Sequence, residues 1–247
     1  MKKFIANRTG FIVFALVFTM LCSSGLAVLA DEEPIIPISG NVSEDVYSQP
    51  SVWAEEEVAA ALEVGIVPDS IVEAGWQNPT SRSSAAEAIV LLIELTLGMT
   101  MEEIADNKNW DLTDNQFDDC DDPVVTFLKY AGITQGIGGN KYAPDANYTR
   151  AQMVTMIGRA AEVFMGVEAQ GESQFTDVPD WAAPYVAYAA DITQGVGGGL
   201  FDSEGLLQNQ HTAVFILRTF ESWGLLDDNG LDELDDADKS DEEDEED

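Results

Sequence analysis

Ala131-Gly-Ile-Thr-Gln-Gly-Ile-Gly-Gly139 returns downstream as Ala190-Asp-Ile-Thr-Gln-Gly-Val-Gly-Gly198, a shift of 59 residues. At the same shift Tyr142 meets Phe201, Ile157 meets Ile216 and Arg159 meets Arg218. A Phe-x-Asp stands ahead of each copy, at Phe117-Asp-Asp119 and at Phe175-Thr-Asp177. So many matches at one offset establish an internal repeat. A more divergent copy lies upstream: Trp53-Ala54 corresponds to Trp181-Ala182, Gly65-Ile66 to Gly132-Ile133, and Pro79-Thr-Ser-Arg82 to the region of Tyr148-Thr-Arg150. Three units fit, at residues 51–110 (divergent), 111–170 and 171–226.

Each unit reads as helix, loop, helix. Val58, Ala61, Leu62 and Gly65 fall at helical spacing, as do Val124, Phe127, Leu128 and Ala131, and Val186, Ala189 and Ala190. Thr149-Arg-Ala-Gln152 has the form of a capping box, and Ser84-Ala-Ala-Glu87 offers a similar one. Glycine clusters between helices supply turns in the left-handed region that other residues adopt at a cost. No segment alternates for long, so little strand is expected. The predicted fold is all-α, three tandem helix-loop-helix repeats in one helical body.

Outward from this body the composition changes. The 247 residues hold 46 acids, 11 bases and one histidine, for a formal net charge of −35. Such a charge excludes counterion-displacing binding to nucleic acid and docking on an anionic membrane surface. Residues 1–30 read as a secretory signal peptide: Lys2, Lys3 and Arg8 precede an apolar run from Phe11 to Leu21, and Val28-Leu29-Ala30 offers a cleavage site. An uncleaved anchor is the other reading of that segment. Cleavage would leave a secreted protein with no membrane attachment and Cys120 as its only cysteine, hence no internal disulfide. Residues 31–50, with Pro34, Pro37 and Pro50, read as an extended leader, and 227–247, with 14 acids, as a disordered acidic tail.

The motif order resembles the S-layer homology domain: Phe-x-Asp-Val, a Trp-Ala helix, Gly-Ile-x-x-Gly-x-Gly, an aromatic near proline, then Thr-Arg-Ala-Glu. The second unit carries Gly132-Ile-Thr-Gln-Gly136, Tyr142-Ala-Pro144 and Thr149-Arg-Ala-Gln152. The third carries Phe175-Thr-Asp-Val-Pro-Asp-Trp181 and Gly195-Val-Gly197; the first carries Trp53-Ala54, Gly65-Ile-Val-Pro68 and Thr80-Ser-Arg82. The resemblance implies a pseudo-threefold arrangement of the three units. It also implies noncovalent anchoring to the secondary cell-wall polysaccharide, often pyruvylated, of a Gram-positive-type envelope or S-layer, through grooves between units. The implied contacts are Arg82 and Arg150 with Ser81 and Thr149 before them, Gly136, Gly138, Gly195 and Gly197, and Trp53 and Trp181. The third unit has Gln208-Asn209 where Thr149-Arg150 stands, so its arginine and its capping box are lost. The second unit lacks the tryptophan, with Asp122 near that position.

The residues alone leave other readings open. Each arginine has an ion pair with a nearby carboxylate as its plain alternative, and the tryptophans a place in the core. The glycine loops neither follow a strand nor precede Gly-Lys-Ser, so they are turns and not phosphate cradles. Asp118, Asp119, Asp121 and Asp122 suit weak Ca²⁺ association without the spacing of a defined site, and no other cofactor is indicated. His211 is alone, with a solvated or packing role near a helix start, and no catalytic constellation emerges. The high charge and the lost third motif also fit an envelope or S-layer assembly protein whose units bind other proteins.

Overall fold

A computed structural model describes residues 48–224. The predicted signal peptide, the leader up to residue 47 and the acidic tail at 227–247 lie outside the described residues. Eight α-helices are described: α1 (Glu55–Val64), α2 (Asp69–Ala74), α3 (Arg82–Leu97), α4 (Met101–Lys108), α5 (Pro123–Tyr130), α6 (Arg150–Ala160), α7 (Ala183–Tyr188) and α8 (Asn209–Ser222). Extended structure among these residues is confined to isolated β-bridges, in keeping with the expected helical class.

The helices start and stop for local reasons. Three glutamates fill the first turn of α1, where the helix dipole favours negative charge, and Gly65 ends it in the left-handed conformation at φ 76°. Asp122 caps α5 by accepting from the Val124 N–H at 2.9 Å, and Pro123 occupies the first helical position. That cap explains the residue found near the missing tryptophan. At α3 the expectation needs correction: no box forms at Ser84. The helix begins a turn earlier, Ser81 accepting from the Ser84 N–H at 3.0 Å, while Glu87 accepts from the Ser70 hydroxyl. Leu62, placed on the apolar face of α1, is exposed, and α2 and α4 were not legible as separate helices.

The stretches just ahead of the three long helices are tied in a ring. The Thr80 N–H donates to the Leu207 carbonyl at 2.7 Å, Leu207 to Tyr148 at 2.9 Å, and Tyr148 back to Thr80 at 2.9 Å. First-turn donors, which a helix cannot satisfy internally, close a second ring that runs in the opposite direction. Arg82 donates to Ala146 at 2.8 Å, Arg150 to Gly205 at 3.0 Å and Asn209 to Asn78 at 2.9 Å. Around this ring α1 packs on α8, α5 on α3 and α7 on α6, in each case a long helix other than the next one in sequence. The enclosed core includes Ile89, Leu92, Phe127, Ile133, Met153 and Ile157, all fully buried.

The Phe-x-Asp motifs brace the hairpin loops from behind. Asp119 accepts from the Tyr142 and Ala143 N–H groups at 2.7 and 3.0 Å. Asp177 accepts from Phe201 and Asp202 at 2.7 Å each and from Ser203 at 3.1 Å. For Asp177 desolvation pushes the carboxyl up, but the three N–H donors together outweigh it and hold it below the usual range. A carboxyl with a depressed folded pKa adds stability above about pH 3.8 that is lost as the pH falls through the folded value. Asp177→Ala is therefore expected to lower the melting temperature at pH 7, and by less at pH 3; equal losses at both pH values would assign the effect to packing alone.

Candidate functional site

Arg82 and Arg150 each occupy the first position of a long helix, directly after a capping residue. Ser81 caps α3, and Thr149 forms with Gln152 the expected capping box on α6. Both arginines fold inward, at 5% and 8% exposure. The Arg82 Nε donates to the Tyr142 carbonyl at 2.7 Å, and the Tyr142 hydroxyl donates back to the Arg82 carbonyl at 2.7 Å. Its guanidinium lies 4.6 Å from the ring centre of Tyr142 and 4.8 Å from that of Tyr148. The Arg150 Nε donates to Phe201 at 3.0 Å, while Nη2 donates to the Gln194 carbonyl at 2.7 Å and to the Thr193 hydroxyl at 3.3 Å. Neither arginine is ion-paired with a carboxylate among the described residues. Asn209 stands at the corresponding start of α8 and donates to the Gly75 carbonyl at 2.8 Å, its Oδ1 buried without a partner.

Each arginine forms part of the wall of a groove. The first groove, about 400 Å³, is lined by Arg82, Thr134, Gly136, Tyr148, Arg159 and Trp181 among others. The second, about 250 Å³, is lined by Arg150, Thr193, Gly195, His211, Arg218 and Trp53 among others. The two sets correspond at the 59-residue shift for Thr134 and Thr193, Gly136 and Gly195, and Arg159 and Arg218. The two tryptophans are half-exposed, at 51% for Trp53 and 49% for Trp181, and so are not the core residues their spacing also allowed. Ser81 and Thr149 act as caps behind the arginines. Gly138 lies at a hairpin tip away from the groove wall, and Gly197 lines a depression of about 310 Å³ that adjoins the second groove and shares Thr193, Gln194 and Gly195 with it.

Three contributors escaped the sequence reading. Arg159 donates to the Ile133 carbonyl at 3.0 Å and Arg218 to that of Ile192 at 3.2 Å, placing a second guanidinium in each groove. The repeat offset paired these two residues, but nothing in their spacing from the Thr-Arg motif tied them to it. His211 occupies the position of Gln152 and packs 4.9 Å from the Trp53 ring, with Nδ1 buried and unpartnered. Burial first, and the Arg150 charge second, push its pKa down to about 4. Among the described residues no group of three or more His, Cys, Asp or Glu is placed to hold a metal ion. The Asp119 and Asp122 carboxylates of the acidic cluster are engaged with backbone N–H groups.

Residues 121–154 match the family model described as the S-layer homology domain. Over this stretch the chain is similar to the S-layer homology domain. The stretch runs from the cap of α5 through the Gly136 loop to Thr149-Arg150, and so contains the loop and one arginine from the groove walls. S-layer homology domains are non-enzymatic modules of cell-surface anchoring. A protein of Thermoanaerobacter kivui named "Cell surface protein" is 36% identical over an alignment of 101 residues that covers 38% of this chain and 13% of that relative. The chain thus matches only a small part of the relative's length.

Proposed function

We propose that the chain is a secreted wall anchor whose two grooves bind an anionic, pyruvylated secondary polysaccharide of a Gram-positive-type cell wall. The observation carrying this reading is the pairing, in each groove, of a buried helix-start arginine, a second arginine and a half-exposed tryptophan. Guanidinium forks suit a sugar carboxylate, and an indole face suits a pyranose ring. The reading takes residues 51–110, 111–170 and 171–226 as three units around a pseudo-threefold axis. The closed ring through Thr80, Tyr148 and Leu207 supports it. The third interface has Asn209 in place of an arginine and contributes to the fold instead of to binding.

The surrounding acid is compatible with this because recognition is short-ranged: beyond about 10 Å at moderate salt the repulsion is screened. Calcium acts only through weak association and screening. Co-sedimentation of the full chain with purified wall sacculi tests the proposal. Retention is expected, with Trp53→Ala plus Trp181→Ala weakening it about tenfold or more and Arg150→Ala weakening it more than Asn209→Ala. Absence of retention at every calcium concentration overturns it, and capture of an S-layer or other envelope protein by a chain without glycan affinity selects the assembly role.

A further inference from the structure

The two grooves share a plan but not a charge. Arg218 is held by Glu57 in a two-pronged pair, Nε to Oε1 at 2.5 Å and Nη2 to Oε2 at 2.8 Å, the only ion pair among the described residues. Its counterpart Arg159 meets no carboxylate; its guanidinium lies 5.7 Å from the Tyr185 ring centre. Tyr185 and Glu57 occupy the same place in sequence, each four residues after a groove tryptophan. A second substitution acts in the same direction. Asp202, whose charge acts on Arg150, stands 59 residues after Ala143, and both have left-handed backbones at φ 64° and 57°. The Arg82 groove therefore presents two guanidiniums with no bonded acid, whereas the Arg150 groove has one of its two neutralised and a second carboxylate nearby.

Resting on the wall-anchor reading, we infer that the grooves form a graded pair: the Arg82–Arg159 groove is the principal site for the sugar carboxylate, and Glu57 restrains the Arg150–Arg218 groove by occupying Arg218. Glu57 is a positioning residue, acting through Arg218 and not on the ligand. The restraint is partial, since the pair is only about two-thirds buried, at 30% and 29% side-chain exposure, and such pairs are screened. An anionic ligand entering the second groove competes with Glu57 for Arg218. The same ligand entering the first groove displaces no acid.

Each groove contains one tryptophan, so the indole N–H resonances of Trp181 and Trp53 report the two sites separately. Isotope-labelled full-length protein titrated with a methyl hexopyranoside carrying one pyruvate ketal is expected to saturate at Trp181 first. Glu57→Gln is expected to move the Trp53 midpoint about threefold lower while leaving Trp181 unchanged. Asp202→Asn, which retains the side-chain size, moves Trp53 in the same direction and serves if Glu57→Gln loosens the fold. A role of Glu57 confined to stability would not raise affinity. Saturation of Trp53 before Trp181, or equal midpoints with both variants silent, overturns the grading and leaves the wall-anchor reading standing. Silence of both indoles together with failure to bind sacculi overturns both.

Discussion

Gly136→Ala is expected to destabilise the protein by about 3–4 kcal/mol, read as a loss of unfolding free energy in chemical denaturation. The residue has φ 73°, in the left-handed region, where an L side chain costs about 1–2 kcal/mol. An added Cβ would also overlap the Lys141 carbonyl oxygen and stand 2.5 Å from the Phe117 ring. Neither neighbour gives way cheaply, because the carbonyl belongs to the hairpin and accepts the Ile137 N–H at 2.8 Å; overpacking of this kind adds about 1–3 kcal/mol. Two companions separate the contributions. Gly132→Ala, with φ 74° and nothing within 4 Å of the new Cβ, is expected to show the backbone cost alone, about 1 kcal/mol. Gly195→Ala meets the Leu200 carbonyl oxygen at 2.5 Å without a left-handed φ and is expected to show the overlap alone. Should Gly136→Ala prove as mild as Gly132→Ala, the loop is not closely packed and the groove wall is softer than described.

The second large effect is a loss of stability on mild acidification. His211 is held neutral, its pKa pushed down to about 4 by burial and then by Arg150. In the unfolded chain it titrates near 6.5. Between those values the unfolded state binds the proton and the folded state does not, so the His211 contribution to stability falls as the pH drops from about 6.5 to about 4 and is constant below. The full shift corresponds to about 3 kcal/mol at 1.36 kcal/mol per unit; the partly exposed ring makes that an upper bound. His211→Gln, which installs the residue found at the equivalent position 152, is expected to flatten this part of the profile. Denaturation midpoints measured from pH 7 to pH 4 in both proteins check it, and parallel curves would show that the imidazole is protonated inside the fold.

The helical class and the helix-start positions of Arg82 and Arg150 were legible because they depend on local rules. Thr149 and Gln152 announce a helix start by chemistry alone, and the tandem Gly-Ile-Thr-Gln-Gly phrases expose the repeat by identity. What escaped depends on distance. The inward fold of Arg82 and Arg150 requires carbonyls 60 and 51 residues away, which no spacing rule encodes. The Glu57–Arg218 pair spans 161 residues, and one candidate among 46 acids has no local mark. The cap at Ser81 was misplaced by three residues because Ser81, Ser83 and Ser84 are all plausible acceptors, and tertiary bonding at Arg82 made the choice.

The packing of α1 on α8 has a mechanical consequence. These helices flank the described residues, one near the start and one at the end, and Glu57 and Arg218 rivet them together. Tension entering along α1 is therefore borne by this seam, while tension entering along α8 is shared between the seam and the packing of α8 on α3. The first groove, walled by α3, α6 and the Gly136 loop, is coupled to α8 through α3. Under the proposed wall-anchor function Glu57 therefore has two opposed duties: softening it frees the second groove for ligand while weakening the fastening of α1 on α8.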